Sequence, residues 1–200
     1  MKLYSHPGSC SSAVHIALKE AGEKFEHIKI DLFSDRILPD GRNFNDINPK
    51  GSVPVLELDD GQLITEISAI LQYIADLHPA TGLAPANGTL ERVRLQEWLS
   101  YLNSDMHMTI GAFFQPALNG EMKELMTQRK DKRLKYVDDH LSNNDYLLGD
   151  KFSVADAYLY IILTWPMMLQ MDISEYKNIA AYQVRMAERQ SVKDTKAAAA

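Results

Sequence analysis

The sequence predicts an α/β N-terminal unit followed by an all-α C-terminal unit. Strand-like and helix-like stretches alternate over residues 1–79, whereas no good strand candidate follows residue 89. The segment HPATGLAPANGT at 78–89 contains two prolines and two glycines and is typical of a linker. We therefore expect a first domain at 1–79, a linker at 80–88 and a helical domain at 89–200.

The first unit alternates two kinds of hydrophobic pattern. Val14 and Leu18 recur at helical spacing, whereas Ile28 and Ile30 alternate with polar residues as in a strand. DDG at 59–61 is a hairpin signal. A strand, crossover helix and second strand form a right-handed parallel unit, and the hairpin adds an antiparallel pair. The result is a four-stranded mixed sheet with strands at 2–5, 25–32, 53–58 and 62–64, and helices at 11–21 and 65–78.

The second unit shows only helical patterns. In the most apolar of them, Ser153 and Asp156 have capping-box spacing, with Asp in place of the usual Glu. An almost fully apolar helix is expected to be buried on all sides. The predicted helices cover 90–107, 121–141, 153–170 and 178–190.

Composition and charge exclude several classes of protein. Hydrophobic residues make up 46% and charged residues 24%, which is ordinary for a soluble globular protein. The net charge of −6 argues against non-specific nucleic-acid binding, which needs a basic surface. One cysteine and scattered histidines predict no disulfide and no metal site. No apolar run is long enough to span a bilayer, so we expect a cytoplasmic protein without membrane attachment.

The one cysteine, Cys10, follows a Pro-Gly turn signal and precedes the first predicted helix. The start of a helix exposes unpaired N–H groups and favours a thiolate. Free cysteine is also often a small buried residue. The sequence leaves both interpretations, a reactive thiol and a packing residue, about equally favoured.

Three further residues have two interpretations each. Pro54, in NPKGSVPVL, is an ordinary edge-strand proline or follows a cis bond that leaves the Val53 backbone open to a ligand. Glu66, in ITEISAI, caps a helix or binds a ligand ammonium group. His107 is a satisfied histidine or a functional one. Taken alone, each pattern favours the structural interpretation.

Five stretches in order resemble the cytosolic glutathione transferase superfamily, and specifically its bacterial beta class: KLY…PGSCS, NPKGSVPVL, LITEISAILQYIAD, QEWLSYLNSDMH and FSVADAYLY. The resemblance covers nearly the whole chain. It implies a thioredoxin-like N-terminal domain joined to an all-helical domain, with glutathione as co-substrate and no metal. It also implies a homodimer that transfers glutathione to small apolar electrophiles.

The resemblance implies three catalytic residues around the glutathione sulfur. Cys10 lies beside this sulfur and can form a mixed disulfide with it, Ser11 donates a hydrogen bond to it, and His107 points toward it. Cys10 is thus either a covalent redox residue for thiol-disulfide exchange or a neighbour of the glutathione thiolate. Val53, before the cis-proline, binds the cysteinyl part through its backbone.

The remaining glutathione contacts follow from the same resemblance. Glu66 binds the γ-glutamyl end, helped by the backbone of Ile67. Ser104 and Asp105 reach glutathione from this subunit or from a partner. The electrophile pocket is expected between the domains, lined by Met106, Met108 and Phe113 or Phe114.

Four residues depart from the family pattern. Ser5 and Ser100 stand where tyrosine and asparagine are frequent. Asp35 replaces a lysine that binds the glycine carboxylate of glutathione, with Arg36 as a candidate substitute. Asp35 and the bulky Ile67 favour an alternative function, a non-catalytic protein-binding module of the same fold.

Overall fold

A computed structural model describes residues 1–199 of the chain, and residue 200 lies outside the described residues. Strands and helices alternate up to residue 77, and only helices follow. The elements are β1 (Lys2–Ser5), α1 (Ser11–Glu20), β2 (Glu26–Lys29), α2 (Phe44–Ile47), β3 (Val55–Glu57), β4 (Leu63–Thr65), α3 (Ile67–Leu77), α4 (Leu90–Tyr101), α5 (Met108–Gly111), α6 (Gly120–Leu141), α7 (Val154–Met168), α8 (Lys177–Ala187) and α9 (Gln190–Ala199).

The four strands form one mixed sheet in the order β2-β1-β3-β4, which confirms the predicted architecture. β1 pairs with β2 in parallel, with Leu3 opposite His27. It pairs with β3 antiparallel, with Leu3 opposite Leu56. β3 and β4 form the predicted hairpin.

The core continues from the sheet into the helical domain through α1 and α7. α1 packs on α3, α7 and α9. Residues 154–163 of α7 are all buried, which explains why their sequence is apolar except for Asp156. The predicted capping box is confirmed, because the Asp156 carboxylate accepts the Ser153 N–H at 2.9 Å. No helix within residues 1–199 has the length and apolarity needed to cross a membrane.

Two predicted helices differ from the structure. The helix predicted at 90–107 is α4 followed by a π-helical turn at Leu102–His107. The last predicted helix, at 178–190, corresponds to α8, which ends at Ala187, and α9 follows over residues that, apart from Gln190, the sequence analysis assigned to no element. At the bend, Arg189 pairs with Glu20 of α1 at 2.8 Å and Ser191 donates to the same carboxylate at 2.5 Å. A long-range ion pair therefore sets this boundary, and local sequence does not reveal it.

Candidate functional site

A cavity of about 610 Å³ lies between the sheet domain and the helical domain. We call its sheet side the N-terminal wall, formed by residues 6–10, 32–33, 51–54 and 66–67. Its helical side, the C-terminal wall, consists of Asn103, His107, Gly111, Phe114, Trp165 and Met168. Of the residues predicted from the sequence, the cavity brings together Cys10, Val53, Glu66, Ile67, His107 and Phe114.

Cys10 is the N-cap residue of α1 and only 8% exposed. Its Sγ lies 3.7 Å from the carbonyl oxygen of Val53, to which the thiol donates. Burial raises the pKa of the Cys10 thiol to about 12, although the backbone N–H groups of Cys10 and Ser11 act in the opposite direction. Of the two interpretations that the sequence left open for Cys10, the structure favours the packing residue over the reactive thiol, because desolvation outweighs the helix start.

Ser11 is fully buried and does not line the cavity. Its hydroxyl oxygen accepts the N–H of His6 at 3.1 Å and lies 2.6 Å from the hydroxyl of Ser9. These bonds brace the turn that carries Cys10. The structure thus places Ser11 behind the cysteine loop, whereas the neighbouring Ser9 lines the cavity.

The peptide bond between Val53 and Pro54 is cis, and Pro54 precedes β3, an interior strand of the sheet. The interpretation as an ordinary edge-strand proline is therefore wrong. The loop at 51–54 brings the backbone of Val53 to the cavity beside Cys10.

Glu66 is the N-cap residue of α3 but makes no side-chain capping hydrogen bond, so the capping interpretation is wrong. Its φ of +69° is costly for a residue with a side chain, by about 1–3 kcal/mol. Such backbone strain clusters at ligand-binding sites. The carboxylate lies 2.5 Å from Nζ of Lys50 and is well exposed. Ile67 follows as a buried residue whose backbone begins the helix.

His107 closes the cavity from the π-helical turn. Its Nδ1 lies 2.7 Å from the hydroxyl oxygen of Tyr158. Its ring meets Trp165 edge to face, with 4.8 Å between centroids. Burial lowers the pKa of His107, so the imidazole is neutral at neutral pH.

Ser104 and Asp105 lie outside the cavity. The hydroxyl of Ser104 donates to the carbonyl oxygen of Ser100 at 2.9 Å. Asp105 forms an ion pair with Arg133 of α6 at 2.6 Å. The π-helical turn therefore sends His107 into the cavity and these two residues to another face.

The methionines predicted for the electrophile pocket do not line the cavity. Met106 is fully buried in the core, because it faces inward from the π-helical turn. Met108 is 65% exposed and lies outside the cavity. Phe113 borders a separate depression beside α6, whereas Phe114 lines the cavity as the alternative prediction stated.

The sequence analysis missed Asn103, Trp165 and Met168 of the C-terminal wall. Trp165 and Met168 lie in the last turn of an apolar helix whose residues 154–163 are all core, so pattern alone does not distinguish them. Of these three residues, only Asn103 has a local indication of a role in the site, because it directly precedes the predicted binding residues Ser104 and Asp105.

Ser5 and Asp35, which depart from the family pattern, and the candidate substitute Arg36 all form hydrogen bonds with nearby residues. Ser5 lies 2.5 Å from Nε2 of His27, and Asp35 accepts the N–H of Ile37 at 3.4 Å. The guanidinium of Arg36 donates to the Gly51 carbonyl at 3.1 Å and is therefore engaged at the rim of the N-terminal wall. Within residues 1–199, no group of His, Cys, Asp and Glu side chains is arranged to hold a metal ion.

Comparison with known proteins matches both domains. The chain matches the glutathione S-transferase N-terminal domain over residues 8–77 and the C-terminal domain over residues 102–190. It is 39% identical to glutathione S-transferase GstA of Escherichia coli O157:H7, over 97% of this chain and 96% of the relative.

Solved structures give the same assignment. The beta-class glutathione S-transferase of Sphingomonas chungbukensis superposes with a TM-score of 0.94 at 43% identity, over 100% of this chain and 98% of that one. A sphingomonad glutathione S-transferase solved with glutathione also gives a TM-score of 0.94 at 43% identity, with the same coverage. With its fold, its cavity and these relatives in agreement, the chain belongs to the glutathione S-transferase family, close to the bacterial beta class.

Proposed function

We propose that the cavity binds glutathione and that the protein conjugates the glutathione thiolate to small apolar electrophiles. The observation that carries this proposal is the meeting of Cys10, Val53, Glu66 and His107 in one cavity, from four separate segments of the chain. Glu66 binds the γ-glutamyl ammonium group and Val53 binds the cysteinyl backbone. The sulfur then lies between Cys10 and His107.

The two walls bind different substrates: the N-terminal wall binds glutathione and the C-terminal wall binds the electrophile. The N-terminal wall offers backbone groups, Glu66 and the start of α1, where unpaired N–H groups and the helix dipole favour an anion. The C-terminal wall offers Phe114, Trp165 and Met168, which suit an apolar electrophile. The glutathione thiolate attacks the electrophilic carbon, a new S–C bond forms, and the leaving group departs.

Cys10 acts as a neighbour of the glutathione sulfur and not as the nucleophile. Its raised pKa of about 12 keeps it a thiol, and a thiol is a poor nucleophile. A Cys10→Ala variant tests this role. We expect conjugation to an aromatic halide to survive the change, whereas loss of thiol-disulfide exchange would favour the covalent redox role. Loss of conjugation would instead assign Cys10 an obligate covalent role.

We propose a cytoplasmic homodimer with residues 1–79 as the glutathione-binding domain, 80–88 as a linker and 89–200 as the helical domain. Ser104 and Asp105 lie outside the cavity of their own subunit, so any contact they make with glutathione is with the partner's. Asp105 instead borders a depression with Trp98, Tyr101 and Tyr136. Sedimentation analysis tests the dimer, and a monomer at micromolar concentration would contradict it.

The decisive experiment combines glutathione titration calorimetry with an aromatic-halide conjugation assay. Saturable binding and turnover support the transferase. No binding at millimolar glutathione would overturn it and favour the protein-binding module. Asp35 and the engaged Arg36 leave the glycine carboxylate without an obvious cation, so we expect binding to depend mainly on the γ-glutamyl and cysteinyl parts.

A further inference from the structure

A chain of hydrogen bonds joins Asn103 and His107 of the C-terminal wall to Tyr158, which lies behind that wall. Asn103 and His107 both line the cavity from the π-helical turn, whereas Leu102 and Met106 of the same turn are buried. π-Helical turns within α-helices are frequent at functional sites. Here the turn directs two polar side chains to the cavity and toward one hydroxyl of α7.

The hydroxyl oxygen of Tyr158 lies 2.7 Å from Nδ1 of His107 and 3.3 Å from Oδ1 of Asn103. Tyr158 is fully buried, and burial raises its pKa, so its single proton stays on the oxygen. The carbonyl oxygen of Asn103 can only accept a hydrogen bond. The one arrangement that satisfies both contacts has Tyr158 donating to Asn103 and accepting from Nδ1–H of His107.

This assignment leaves the other ring nitrogen of His107 without a proton. Nε2 makes no hydrogen bond to any residue in 1–199 and is not a buried atom. A neutral imidazole has one donor nitrogen and one acceptor nitrogen. With Nδ1 protonated, Nε2 is the acceptor.

Trp165 holds the ring in this orientation, because it packs edge to face against His107. Gly111 leaves space beside the ring, since a Cβ at this position would stand 3.5 Å from Cδ2. The indole N–H of Trp165 also donates to the carbonyl oxygen of Gly8, in the loop that carries Cys10, at 3.0 Å. α7 thus fixes His107 relative to the N-terminal wall.

We propose that Tyr158 is a positioning residue that holds His107 in the Nδ1–H tautomer, so that Nε2 accepts the proton of the glutathione thiol. The S–H bond breaks, an N–H bond forms at Nε2, and the electron pair stays on sulfur as the thiolate. The imidazolium keeps its Nδ1–H bond to Tyr158 and returns the proton to solvent after the leaving group departs. This inference rests on the proposed function for its substrate.

Nitrogen NMR of histidine-labelled protein, without glutathione, tests the tautomer directly. We expect His107 to be protonated at Nδ1 in the wild-type protein and to become a mixture of tautomers in Tyr158→Phe. Tyr160→Phe, which removes the same atom from the same helix away from the cavity, is the control and leaves His107 unchanged. A wild-type His107 protonated at Nε2, or a Tyr158→Phe spectrum like that of wild type, would overturn the proposal.

Kinetics test the consequence. We expect Tyr158→Phe to lower kcat about tenfold or more, with little change in KM for glutathione, and to shift the acid limb of the pH profile. In a His107→Ala background the same change has no further effect, because no tautomer remains to be set. An equal loss in both backgrounds would mean a merely structural role. Because the NMR result needs no glutathione, failure of glutathione binding would overturn the proposed function without deciding the tautomer.

Discussion

The two walls of the cavity are built by different means. The N-terminal wall consists of loops and helix starts, and it presents backbone groups, a buried thiol and one exposed carboxylate. The C-terminal wall presents mainly aromatic side chains, the His107 imidazole and the Asn103 amide. The buried helix α7 supports this wall, because its Tyr158 hydroxyl contacts His107. The residues proposed to recognise glutathione therefore lie in short sequence motifs of the N-terminal wall. The proposed position of the proton on His107, in the C-terminal wall, depends instead on tertiary packing.

The largest effect is expected where α7 is anchored. The buried Asp156 carboxylate accepts the N–H groups of Leu147 at 2.8 Å and Ser153 at 2.9 Å, and the Ser153 hydroxyl at 2.8 Å. Asp156→Ala leaves these donors unpaired, so we expect the free energy of unfolding to fall by about 3 kcal/mol in urea titrations. Asp139→Ala breaks only the exposed pair with Lys135 and should cost about 0.5 kcal/mol or less. Equal losses would contradict a special role for the α7 anchor.

The second effect concerns the back of α1, which supports the N-terminal wall. His15 is buried, with Nδ1 at 2.7 Å from the Thr195 hydroxyl of α9. Burial lowers its pKa to about 4, and burial also lowers the pKa of the neighbouring His27. As pH falls from about 6.5 to 4, the unfolded chain takes up the His15 proton before the folded one does. The folded state therefore loses stability on acidification, by up to about 3 kcal/mol.

His15→Asn isolates this contribution. We expect the loss of unfolding free energy between about pH 7 and pH 4.5 to be smaller in the variant than in wild type. The pKa of Asp156, which burial raises to about 6, contributes with the opposite sign in both proteins and cancels in the difference. Parallel pH curves for the two proteins would contradict the buried neutral state of His15.

A third prediction tests the charge of the N-terminal wall. Glu66→Gln removes the carboxylate proposed to bind the glutathione ammonium group, and hydrogen bonds to charged groups contribute about 1.5–3 kcal/mol. We expect glutathione affinity, measured by calorimetry, to fall by roughly ten- to a hundredfold. Glu97→Gln is the control, because Glu97 pairs with Arg94 away from the cavity. An unchanged affinity in Glu66→Gln would remove this residue from the site.

The smallest of these effects probes the direct link between the walls. Trp165→Phe keeps an aromatic ring but removes the indole N–H that donates to Gly8. We expect KM for glutathione to rise about fivefold, the equivalent of about 1 kcal/mol. Trp98→Phe, on α4 away from the cavity, should leave KM unchanged. A larger rise of KM in Trp98→Phe than in Trp165→Phe would show that the hydrogen bond between Trp165 and Gly8 does not position the glutathione site.

The difference between the walls also determines what the sequence revealed. The mixed sheet and the capping box of α7 were predicted from local patterns. The convergence of Cys10, Val53 and Glu66 was implied by the resemblance to glutathione transferases and not by any spacing in the sequence. Local patterns did not give the pKa of Cys10, since burial by distant residues outweighs the helix start.

The C-terminal wall was the harder part to predict. The π-helical turn at 102–107 reassigns which side of a continuous helical pattern faces the cavity, so Met106 lies in the core and Asn103 in the wall. Tyr158 and Trp165 act through contacts with residues 51 and 157 positions away along the chain. No spacing rule connects such pairs.

The central claim is that the ionised sulfur belongs to glutathione and that its proton is taken up from the C-terminal wall. Ultraviolet absorbance of the thiolate, recorded against pH with bound glutathione in wild type, Cys10→Ala and His107→Ala, tests it most directly. We predict that bound glutathione ionises below the ordinary thiol pKa of about 8.5 in wild type and in Cys10→Ala, and at a higher pH in His107→Ala. A thiolate signal that disappears in Cys10→Ala and persists in His107→Ala would contradict the account.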